Sequence, residues 1–98
     1  MNSITTSKKS NTLQYLLLGK KGGKTTAKII EKLLIRPYNS NQLANILNLS
    51  YNTIQYHIRI MLKYELIVQT SSGYGSIYEP SQKLLNESEK FYELKKLI

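Results

Sequence analysis

The stretch Ser50-Tyr51-Asn52-Thr53-Ile54-Gln55-Tyr56-His57-Ile58-Arg59-Ile60-Met61-Leu62-Lys63-Tyr64 separates into two faces when wound as an α-helix. At the helical step of about 100° per residue, Ile54, Ile58, Met61 and Leu62 share an apolar sector about 100° wide. Asn52, Gln55, Tyr56, Arg59 and Lys63 occupy the other side, and no acidic residue interrupts them. Ser50 can cap the helix by accepting from a backbone N–H of the first turn. Amides beside cations are what a reader of the DNA major groove needs, because amides pair with base edges while Arg and Lys engage guanine or phosphate. Asn52 and Gln55 are therefore the expected base readers. Tyr51 and Thr53 are placed for phosphate or thymine-methyl contacts, Tyr56 lies on the same outer strip, and Arg59 and Lys63 are placed for the backbone.

Upstream, Asn48-Leu49 predicts a tight turn, and Asn39 with Gln42 has the spacing of a capping box. That box opens a short helix with Leu43, Ala44, Ile46 and Leu47 on its apolar side. Before it, Ala27, Ile30, Leu33 and Leu34 keep helical period from Lys24 until Arg36-Pro37, since the residue before a proline is pushed away from helical backbone. Lys20 to Lys24 reads as a basic, glycine-rich loop. Asn11 or Thr12 is expected to cap a short helix presenting Leu13, Leu16 and Leu17, with Gly19 as a left-handed stop; a strand is the alternative there. Residues 1–10 offer no apolar face and are expected to be a flexible basic arm.

Downstream, Leu66 to Thr70 and Ser76 to Tyr78 are two β-prone runs around Ser71-Ser72-Gly73-Tyr74-Gly75, a hairpin of wing size over 67–78. Tyr74 is the tip residue expected to touch DNA, although the wing carries no Lys or Arg. Ser81 is expected to cap a single final helix over 82–98, with Leu84, Phe91, Leu94 and Ile98 at heptad-like spacing and Glu87 breaking the stripe. The order helix, short helix, turn, helix, hairpin predicts a mainly α chain with a small β-hairpin (α+β). The fold is a winged helix-turn-helix with extra N- and C-terminal helices. One domain is expected over 11–98, with its core at 24–80.

Composition narrows the function. The chain has 98 residues, which allows one domain, and no apolar run approaches a membrane-spanning length. Without a secretory core or cleavage site, a cytoplasmic location is expected. Cysteine and aspartate are both absent, and His57 is the only histidine, so disulfides, thiolate chemistry and most metal or hydrolytic sites cannot be assembled. The expectation is no enzyme, no cofactor and no metal. The net charge is +8, with ten Lys or Arg against one Glu up to Lys63 and four against five after it. A positive field concentrated on the first two thirds suits a polyanion.

Gly19 to Thr25 looks like a phosphate-binding loop, but Gly19 to Gly23 is one residue short of the required spacing. Backbone amides at this helix start, with Lys24 and Thr25, are instead placed to hold a DNA phosphate. His57 lies on the shoulder between the two helix faces, where packing within the domain outweighs a pH-sensitive contact. The apolar stripes of the two terminal helices predict a homodimer interface, the alternative being that both fold back on their own core.

The motifs Gly22-Gly23-Lys24-Thr25, Arg36-Pro37-Tyr38-Asn39, Asn41-Gln42-Leu43-Ala44, Tyr51-Asn52-Thr53-Ile54 and Gly73-Tyr74-Gly75 resemble those of archaeal ArsR-like winged-helix transcriptional regulators, over roughly Leu13 to Ser81. The resemblance implies a homodimer that binds promoter DNA through Tyr51 to Arg59. This chain lacks the cysteine and histidine clusters of metal-sensing members of the wider group, and it carries Gln55 and Tyr56 where relatives often have basic or histidine residues. The leading expectation is a sequence-specific regulator binding double-stranded DNA. A nonspecific architectural nucleic-acid-binding protein and a protein-interaction winged helix are the alternatives.

Overall fold

The computed structural model describes residues 11–72 and 75–98, with the side chains of 71 and 72 also left aside. The expected arm of residues 1–10 and the wing-tip Tyr74 lie outside the described residues.

The first helix, α1, covers 11–19 and ends in a π-wound turn, Tyr15–Gly19. Asn11 and Thr12 are already helical and so do not cap it. Gly19 is not the left-handed stop either. It belongs to the π turn, and the left-handed residue is Gly22 at φ 87°. Gly22 caps α2, Gly23–Ile35. The second glycine has its own reason: a Cβ on Gly23 would stand 2.0 Å from the Leu17 carbonyl oxygen, so only glycine lets α2 begin against α1. At its far end Arg36 adopts extended backbone before Pro37, as expected.

After Pro37 the chain forms β1, Tyr38–Asn39, a strand too short to carry an alternating pattern. Asn39 then caps α3, Ser40–Leu47, in a complete capping box with Gln42, each side chain bonding the other's backbone N–H at 2.8 Å. Asn48 turns the chain through φ 57°, and α4 follows at Tyr51–Lys63. The expected hairpin is β2, Ile67–Ser72, with β3, Gly75–Pro80, in register from Ile67 opposite Pro80 to Ser72 opposite Gly75. β1 joins the other edge of β3 through Tyr38 opposite Tyr78, giving a three-stranded antiparallel sheet in the order β1-β3-β2.

The final segment is two helices rather than one: α5, Gln82–Asn86, and α6, Ser88–Lys95. Glu87 departs from helical backbone (φ −109°, ψ 18°) between them. Ser81 caps the first of these, as expected, by accepting from Leu84 N at 3.1 Å.

One core joins all of these elements. Leu13, Leu16 and Leu17 of α1, Ile29, Ile30 and Leu33 of α2, Leu43 of α3, Ile54, Ile58 and Met61 of α4, and Leu66, Ile67 and Tyr78 around the sheet are buried together. Leu84 and Phe91 complete it, both at 0 % exposure. Leu13, Leu16 and Leu17 of the first helix and Leu84 and Phe91 of the last two are thus buried in their own domain, whereas Ile98, at the end of the stripe, is 38% exposed. Lys95 of α6 reaches Glu31 of α2 at 2.7 Å, but both side chains are more than a third exposed, so this pair adds at most about 1 kcal/mol to packing that does most of the holding.

Candidate nucleic-acid interface

Two local devices aim α4. The left-handed Asn48 closes α3, with Leu49 N donating to Ala44 O at 2.9 Å, so the chain reverses within two residues. Ser50 Oγ then accepts from Thr53 N at 3.0 Å and donates its own proton to Thr53 Oγ1 at 2.9 Å. The hydroxyl of Thr53 is thereby engaged within the cap, and the residue is half-buried.

The inner face of α4 is Ile54, His57, Ile58 and Met61. Opposite it Tyr51, Asn52, Tyr56, Arg59 and Lys63 are exposed, so the structure brings these candidate residues together on one strip. Gln55 differs from them. It is half-buried, and its Oε1 accepts a short hydrogen bond from the Ser40 hydroxyl at the start of α3. A polar groove of about 370 Å³ lies beside this bond, between α4 and the wing, lined by Asn41, Tyr51, Ser76 and Tyr78 among others.

The structure adds a cation that the reading of the α4 sequence missed. Lys20 Nζ stands 5.5 Å above the Tyr56 ring, bringing charge from the loop before α2 onto the exposed strip of α4. Only the basic character of that loop signalled this; the distance in sequence hid the partner. Lys63 stands 5.9 Å from the Tyr64 ring, and Arg36 lies 4.3 Å from the ring of Tyr38 at the foot of the sheet. Both are contacts of cations with electron-rich ring faces.

Lys24 and Thr25 are not gathered with this strip. Lys24 is exposed and lines a small recess with Ala27, Lys28, Lys95 and Ile98, while Thr25 is half-buried in the first turn of α2.

His57 packs inside the domain. It is buried beneath Gly22, where a Cβ would approach its Cε1 to 2.8 Å, and its Nδ1 lies 3.3 Å from Thr26 Oγ1. Burial, and after it the charge of Lys20, lowers its pKa below the ordinary 6.5. Burial thus favours the neutral form of the ring where the start of α2 meets α4.

Among the described residues no group of His, Cys, Asp and Glu is arranged to hold a metal ion, and no helix is long and apolar enough to cross a membrane.

Residues 23–68, from α2 into β2, match the family described as "Bacterial regulatory protein, arsR family". No curated protein matches the chain. Among solved structures, the adhesin competence repressor of Streptococcus pyogenes is similar to it with a TM-score of 0.56 and 18% identity, over 95% of this chain and 80% of that one. At that identity the likeness is one of fold. The architecture is a winged helix-turn-helix, mostly helical with a small antiparallel sheet, as expected.

Proposed function

We propose that this chain is a transcriptional regulator that binds double-stranded DNA in a sequence-specific manner. Its α4 helix enters the major groove, and the wing lies on the adjacent backbone or minor groove. The observation that carries the reading is the acid-free strip Asn52, Tyr56, Arg59 and Lys63, exposed on α4, beside the groove holding Gln55 and joined by Lys20. Hydrogen-bonding groups flanked by cations suit base edges between phosphates. The family matched by residues 23–68 is named for regulation, which favours this use of the strip. Within that group, the archaeal members are those its motifs resemble.

Action as a homodimer in the cytoplasm belongs to the same proposal. Tyr15 and Leu18 on α1 and Tyr92 on α6 are exposed, on helices that pack against one another. They offer a second copy an apolar face that the core does not use. Lys24 and Thr25 are assigned to a phosphate on the flank of the site, and Tyr51, Thr53 and Tyr74 to its margins.

Selection of duplexes from a random pool by the purified protein tests the reading. A palindromic consensus with half-sites about one DNA turn, roughly 34 Å, apart is expected. Scrambled duplex bound as tightly as the selected sequence would instead establish the nonspecific architectural role. Absence of DNA affinity at any salt concentration would leave the protein-interaction role.

A further inference from the structure

A glutamine with a free amide reads adenine with both of its halves, the oxygen accepting from N6 and the nitrogen donating to N7. Gln55 does not have both halves free. Its Oε1 is taken by the hydroxyl of Ser40, the first residue of α3, which is itself only 6% exposed. Among the described residues Gln55 makes no other hydrogen bond through its side chain. Its Nε2 donors are therefore what it has to offer a ligand.

We propose that Ser40 is a specificity-determining residue that never touches DNA: by holding Oε1 of Gln55, it makes the amide a donor and directs it to guanine. Guanine presents two acceptors in the major groove, N7 and O6, whereas adenine presents one acceptor and one donor. A donor-only amide satisfies guanine and leaves the adenine N6 amino group without an acceptor. Ser40 is suited to the task because its own placement is fixed independently. Asn39 and Gln42 cap α3 around it without using its hydroxyl. Removal of that hydroxyl therefore leaves the helix start intact. This inference rests on the reading of α4 as a major-groove reader.

The test compares base preferences selected from one random duplex pool by the wild-type protein, Ser40→Ala and Gln55→Glu, with thermal melting of each protein run alongside. For the wild type, one position in the consensus is expected to favour guanine over adenine by roughly tenfold. In Ser40→Ala the amide is free to rotate, and the same position shifts towards adenine while the others hold. In Gln55→Glu the donors are gone, and that position moves to cytosine, whose N4 amino group a carboxylate accepts. If Ser40→Ala melts like the wild type and selects the same consensus, the role of Ser40 is overturned while the DNA-binding reading stands. If the wild type selects no consensus, both fall together.

Discussion

Gly23 begins α2 so near Leu17 that a Cβ on it would lie 2.0 Å from the Leu17 carbonyl oxygen. The obstacle is backbone, which cannot swing aside as the end of a side chain can. Gly23→Ala is therefore expected to separate α1 from α2 and to destabilise the domain by about 3 kcal/mol, at the upper end of the range for overpacking. Chemical denaturation measures it; an unchanged midpoint would mean that the two helices are not packed this closely.

The C-terminal helices supply core rather than ornament. Leu84 and Phe91 are both fully buried. Phe91→Ala should cost about 3–5 kcal/mol through lost burial and the cavity it leaves. The loss should be the same at low and high protein concentration. A cost that vanished on dilution would place Phe91 between subunits instead.

His57 gives the fold a pH dependence of definite sign. Its folded pKa is lowered by burial and then by Lys20, so the unfolded chain takes up a proton more readily than the folded one. The stabilisation is present above the unfolded value of 6.5 and is lost as pH falls from there towards the folded pKa. Melting temperature should drop over that window more steeply in the wild type than in His57→Gln. Parallel curves for the two proteins would show that the ring does not titrate differently on folding.

Arg59 and Lys63 are exposed on the strip of α4, and the proposed function assigns them phosphate contacts. Replacing either with Ala should weaken binding to all duplexes by a similar factor, and should reduce the slope of log affinity against log salt by about one. Titrations at several salt concentrations read this directly. A loss confined to one sequence would instead make the residue a base reader.

The legible parts of this fold were those encoded locally. Asn39 and Gln42 are three residues apart and form their capping box within one turn, and Ser50 does the same for α4. The two faces of α4 follow from helical period alone, as does the end of α2 before Pro37. What escaped depends on partners distant in sequence. Gly19 and Gly22 look alike in the chain, yet Gly22 is the one at positive φ, packed against His57, which lies far along the sequence. β1 spans two residues and exists because β3 arrives beside it. The apolar residues Leu84 and Phe91 announce that they must be buried, but their spacing does not say against what. Gln55 was found as a polar residue on the strip, whereas its bond to Ser40 required α3 and α4 to be packed together.

That Phe91 closes a core begun by Leu13 also orders events during synthesis. The nascent chain presents α1 long before α6 has left the ribosome, and α6 is what packs against α1's π turn. Until then the leucines of α1 lack part of their cover. α3 and α4 are made in the middle of the chain, but they gain a finished support only when translation has passed residue 91.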